Sequence, residues 1–129
     1  MDYGITVTLD TPFPAAVERV RAALAEQGFG ILTEIDVQAT LRAKLGEEME
    51  DYLILGACNP PLAHRALGVD RHIGLLLPCN VVVRTADGRT VVEAMDPQIM
   101  VQVTGRPELA AVADEAATRL RQALDALVG

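Results

Sequence analysis

The sequence predicts an α+β fold, a largely antiparallel sheet with two long helices on one face. Three observations carry this. An alternating strand pattern and an amphipathic helix open the chain. Four further β-rich runs follow, with two short helices among them. A second long helical stripe then ends the chain. This β-α-β(4)-α order, in which helices are not interposed regularly between strands, favours an antiparallel sheet over a parallel one.

Tyr3 to Leu9 alternates, with Tyr3, Ile5, Val7 and Leu9 on one side, as a half-buried strand does. Thr11-Pro12-Phe13-Pro14 turns the chain and opens a helix that Ala15 to Gln27 continues. Val17, Val20 and Leu24 form its apolar stripe, and Gly28 stops it. Phe29 to Ile35 reads as a second strand. Asp36 caps a short helix, Val37 to Leu45, which Gly46 ends. The acidic run Glu47, Glu48, Glu50 and Asp51 reads as a solvated loop, because it lacks the alternating oxygen-ligand spacing of a calcium loop.

Tyr52 to Ala57 and Cys79 to Thr85 are nearly continuous apolar runs, the pattern of buried strands. Between them Asn59-Pro60-Pro61 opens a helix over Leu62 to Leu67, closed by Gly68. Pro78 stands at the start of the second run, where a missing N–H does least harm. Asp87-Gly88 predicts a hairpin into the return strand Thr90 to Met95. Asp96-Pro97 breaks that strand, and Gln98 to Val103 fits either strand or helix. Pro107 opens the last helix, whose stripe runs through Leu109, Val112, Ala113, Ala116, Leu120, Leu124 and Leu127.

With 129 residues, half of them hydrophobic, the chain is expected to be a single domain, 1–129, with one sizeable core. Aromatics make up 3% and Trp is absent, so the core must be aliphatic. The net charge is -7. Acidity and scarce aromatics argue against nucleic acid, whose binding draws on basic side chains and stacking faces. The opening MDYGITVTLD has neither a basic nor an apolar leader region, and no apolar run approaches the roughly 20 residues of a membrane span. The expectation is a cytoplasmic protein, not membrane-bound, with reduced thiols. If two long helices cover one sheet face, Val81-Val82-Val83 still present apolar side chains on the other. Short helices, a ligand or a partner must cover it, and a homodimer is the leading expectation.

Three blocks carry a family resemblance. They are Gly30-Ile31-Leu32-Thr33-Glu34-Ile35-Asp36, then Ile54 to Ala63 with its Ala-Cys-Asn-Pro-Pro, then Gly74 to Val83 with its Leu-Pro-Cys-Asn. Together they resemble the domain-of-unknown-function family 302 from the first helix through Met100. The resemblance implies a TATA-binding-protein-like β-α-β(4)-α fold and supplies no activity. A shared fold does not carry DNA binding with it.

Candidate chemistry gathers between Leu53 and Val83, which holds both cysteines, both histidines and Cys-Asn twice. Asn59 with Pro60 and Pro61 makes a well-signalled helix start. A helix start can also hold an anion or lower the pKa of a neighbouring thiol, here Cys58. Cys79 begins a strand that can neighbour Cys58; buried hydrophobe is the ordinary state of both. Two Cys with His64 and His72 suggest a soft metal, although Cys-x5-His and His-x6-Cys match no standard zinc spacing. Asp96 before Pro97 is a turn former and a candidate carboxylate. No phosphate loop, nucleophile elbow or His-Glu-x-x-His helix is present. The leading reading is a dimeric module that binds a small ligand or a soft metal in a pocket rimmed by Cys58, Asn59, His64, Cys79 and Asn80, with Asp96 as a further candidate. The alternative is a thiol enzyme, redox or nucleophilic, using Cys58. A third reading has no site, and the protein works through its surface.

Overall fold

In the computed structural model, which describes residues 2–128, the opening strand forms as β1 (Gly4–Leu9), with Ile5 and Leu9 buried on one side. Helix α1 (Phe13–Glu26) follows, with Pro14 in its first turn and Val17, Val20 and Leu24 buried. Then come β2 (Gly30–Asp36), α2 (Val37–Leu45), β3 (Tyr52–Cys58) and α3 (Pro60–Val69). After them run β4 (Cys79–Ala86), β5 (Arg89–Met95), α4 (Ile99–Thr104) and α5 (Ala110–Val128). 3-10 turns at Arg71–Leu76 and Pro107–Leu109 lead into β4 and α5.

The described residues form a five-stranded sheet in the order β1-β5-β4-β3-β2, with every neighbouring pair antiparallel. Asp87 and Gly88 make the tight β4–β5 turn at φ 51 and φ 76. Two positive φ values in a two-residue loop match the twist of the flanking strands. Helices α1 and α5 pack on each other and on one sheet face. Leu53, Leu55, Val81, Val83 and Val92 from the sheet meet Val20, Leu24, Leu120 and Leu124 from the helices. The core is aliphatic, with Phe29 its buried aromatic.

A second cluster lies beside the first. Leu62 and Ala66 of α3, Ile73, Met100 of α4, Leu109, and Val112, Ala113 and Ala116 of α5 close on one another. The N-terminal half of α5 thus serves this cluster and its C-terminal half serves the sheet.

Several local readings change. Helix α3 continues through Gly68 to Val69 and stops at Asp70, whose carboxylate accepts the His72 N–H at 2.9 Å. The undecided stretch 98–103 is helical and ends at Gly105 in the left-handed conformation. The stripe Val37, Leu41, Leu45 forms on α2 but buries no residue, and β3 is the helix's main neighbour. The runs in β3 and β4 are nearly continuously apolar but are buried on one side only: Leu53, Leu55, Val81 and Val83 are inside, while Ile54 and Val82 stay half-exposed.

The short helices therefore do not cover the second sheet face. Register sets Ile35, Ile54, Val82, Glu93 and Thr6 in one row across it. Arg84 and Glu93 pair there at 2.6 Å. A bulge between Ile31 and Thr33 turns Leu32 outward on the edge strand β2. On the same face Gly56 has no room for a side chain: an added Cβ would stand 2.8 Å from Pro78 Cγ and press on Thr33 Oγ1.

Candidate functional site

The β3–β4 register brings the two cysteines to one place. Ala57 pairs with Cys79, so Cys58 lies one step beyond that pair, where β3 passes into α3. A cavity of about 30 Å³ lies between this strand end, α3, α4 and α5. Cys58, Asn59, Leu62, Cys79, Met100 and Val112 are among its walls. Wider surface depressions of about 270–380 Å³ occur elsewhere, and none of them is lined by a thiol or an imidazole.

Asn59 holds the geometry. It is only 8% exposed, and its side-chain oxygen accepts the Leu62 N–H at 3.2 Å. A cap of this kind stabilises a helix by about 1 kcal/mol. Its amide nitrogen would stand 3.0 Å from a Cβ placed on Gly28, which sits at φ 84, so the preceding turn closes tightly over it.

This arrangement removes one chemical option that the sequence raised. Pro60 and Pro61 have no N–H to offer. The Leu62 N–H is held by the Asn59 side chain, and the Ala63 N–H by the Asn59 carbonyl at 2.9 Å. The first turn of α3 therefore has no free donor for an anion or for a Cys58 thiolate. The helix start is a sealed cap.

Electrostatics point the same way. Burial pushes the Cys79 thiol up to about 11, and the charge of a Cys58 thiolate adds to that rise. Both cysteines are free thiols, Cys58 half-buried and Cys79 buried. Among the described residues no buried side-chain nitrogen or oxygen lacks a hydrogen-bond partner. The groups on the cavity wall that make no hydrogen bond are the two thiols, the Met100 thioether and the Asn59 amide nitrogen. The cavity rim is tied by ions: Arg65 of α3 and Arg119 of α5 both donate to Glu115 and hold its carboxyl below the usual carboxylate range. Arg119 also donates to the Gln27 carbonyl at 3.2 Å, joining the α1–β2 turn to α5.

The remaining candidates stand apart. His64 lies exposed on α3 and does not line the cavity. His72 is exposed in the 3-10 turn. Asn80 follows Cys79 and therefore points to the opposite sheet face, exposed in a shallow depression with Tyr3, Tyr52 and Glu93. Asp96 ends β5 and works in the turn: its N–H donates to the Tyr3 carbonyl, and its carboxylate accepts the Gln98 N–H at 3.0 Å and lies 3.5 Å from Arg121. Cys58, Asn59 and Cys79 come together; His64, Asn80 and Asp96 do not join them. Among the described residues no three His, Cys, Asp or Glu side chains gather as a metal centre. Met100 is the cavity residue that sequence reasoning missed, because its segment offered no clear period.

Comparison with known proteins agrees with this frame. The family model described as "Domain of unknown function DUF302" matches residues 5–127. The chain belongs to this family. A crystal structure of an uncharacterized conserved DUF302 protein from Bacillus stearothermophilus is similar throughout, with a TM-score of 0.93 and 30% sequence identity. The match covers 98% of this chain and 99% of that one. No curated protein matches the chain. DUF302 membership shows the α+β fold and leaves the activity open. No described helix is long and apolar enough to cross a membrane.

Proposed function

We propose that this DUF302 chain is a small binding module whose site is the cavity walled by Cys58, Asn59 and Cys79. One observation carries the reading: the only two thiols of the chain line the same small, largely apolar cavity. At about 30 Å³, above the roughly 10–15 Å³ that a single water needs, the space suits a ligand of one or a few atoms. Apart from Asn59 the walls are apolar or sulfur-bearing, so the occupant is apolar or soft. The setting this reading requires is a reducing one such as the cytoplasm, where free thiols persist.

Xenon tests the cavity directly, because apolar cavities that stay dry take it up. Methyl NMR under xenon pressure is expected to shift Leu62 and Val112 before the resonances of the sheet core. Shifts spread evenly over the molecule, or none at all, sink the reading.

The uncovered sheet face supports a second copy as partner. A two-fold contact places the same patch on both sides, so the patch must not repel itself. The two charges at its centre, Arg84 and Glu93, already neutralise each other. Around them Ile54 and Val82 are half-exposed, and Ile35 is 48% exposed. Light scattering is expected to give twice 13.8 kDa. Val82→Glu is expected to give the monomer mass with the same far-UV circular dichroism. A monomeric parent chain refutes the dimer.

A further inference from the structure

We propose that Cys58, Cys79 and Met100 form a sulfur-only site for a single soft monovalent cation, the cuprous ion. The proposal rests on the cavity reading above and names its ligand class. The chain has two cysteines and four methionines. Both cysteines and Met100, which is only 2% exposed, line one cavity. Three soft donors thus come from β3, β4 and α4, which are remote in sequence.

Donor chemistry chooses the ion. Thiolate and thioether are the ligands that select Cu(I). No carboxylate or imidazole lines the cavity. A structural zinc ion takes four nitrogen, oxygen or thiolate ligands in a tetrahedron, and only two such thiols stand here. Calcium and magnesium take oxygen ligands and are excluded on the same ground. The volume of about 30 Å³ accommodates a single ion.

Charge balance explains why the site needs a cation. Two thiolates in apolar surroundings repel each other and lack water. Without a cation, burial favours the protonated form of Cys79. When Cu(I) binds, two S–H bonds break and two Cu–S bonds form. Both protons leave to solvent, the copper stays at +1, and the thioether adds a neutral third ligand. Cys58 is the half-buried member of the pair, so the ion is passed to it first by exchange from another thiolate. The sealed helix cap at Asn59 fixes Cys58 without competing for its charge.

The test uses the full chain, reduced and without oxygen, with Cu(I) supplied as its acetonitrile complex against the coloured Cu(I) chelator bicinchoninate. The chain is expected to withhold one Cu(I). Cys58→Ser and Cys79→Ser are expected to withhold none. Met100→Leu, which nearly preserves volume, is expected to hold the ion about ten-fold more weakly, a difference of about 1.4 kcal/mol. X-ray absorption of the loaded chain is expected to show sulfur neighbours only. If Cys79→Ser does not fold, the half-buried Cys58→Ser decides alone. Failure to withhold copper overturns the proposal, and so does equal retention by Cys58→Ser. Xenon separates the two failures: a chain that refuses copper yet shifts Leu62 and Val112 under xenon keeps its cavity and loses its cation, whereas a chain that does neither loses both.

Discussion

Leu120→Ala is expected to destabilise the chain by about 3 kcal/mol, within the range of about 2–5 kcal/mol for large-to-small core changes. Leu120 is fully buried in the middle of α5 and belongs to the main core with Val20 and Leu24 of α1 and the inner residues of the sheet. Removing its side chain leaves a void among closely packed aliphatic side chains. Against a total stability of about 5–15 kcal/mol for a domain of ordinary size, this is a large fraction. The control is Leu75→Ala. Leu75 is 86% exposed, so its loss is expected to cost within about 0.5 kcal/mol. Urea unfolding followed by far-UV circular dichroism measures both; the chain has no Trp to report by fluorescence. A Leu120→Ala midpoint no lower than that of Leu75→Ala would contradict the assigned core.

Most of this fold is legible in the sequence, for identifiable reasons. The stripe Val17, Val20, Leu24 and the long stripe to Leu127 have one helical period each, and both are buried as read. Asp87-Gly88 specifies its turn chemically. Legibility fails where one pattern serves two environments. Ile54 and Val82 look like core because they are apolar, yet an apolar residue can face an uncovered sheet surface as well as a core. Gly68 looks like a stop, but nothing near it forces a positive φ, and the helix runs on until the Asp70 side chain caps the next turn. The candidate site was half legible. Nearness of Cys58 and Cys79 follows from antiparallel pairing of β3 and β4, which places the start of one strand beside the end of the other. Separation of Asn80 from Asn59 follows from strand alternation: Asn80 comes one residue after inward-facing Cys79, so it faces outward. Met100 was not legible, because a six-residue helix shows too few turns to declare a period.

The second large effect lies at high pH. Burial holds the Cys79 thiol at about 11 against an ordinary value of 9.0, with the Cys58 charge contributing. The folded chain keeps this proton where the unfolded chain has already lost it. The associated stability is therefore fully present below pH 9 and is lost as pH rises towards 11. At 1.36 kcal/mol for each pKa step, the full loss is about 2.7 kcal/mol, with about 2 kcal/mol of it gone by pH 10.5. The wild-type curve sums every ionisation of the chain, so it alone does not isolate the thiol. Cys79→Ala does: it removes the titrating group and keeps everything else. Urea unfolding at pH 8 and pH 10.5 is expected to show the wild type losing about 2 kcal/mol more than Cys79→Ala over that interval. Equal losses would mean that Cys79 ionises as freely in the folded chain as in the unfolded one, and hence that it is not buried in this way. The same measurement with copper bound probes the cation site independently of affinity. A thiolate compensated by Cu(I) has no proton left to lose, so the loaded chain is expected to lack the Cys79 part of the alkaline decline. Burial that forbids a bare thiolate at this position is what makes a metal-compensated one durable.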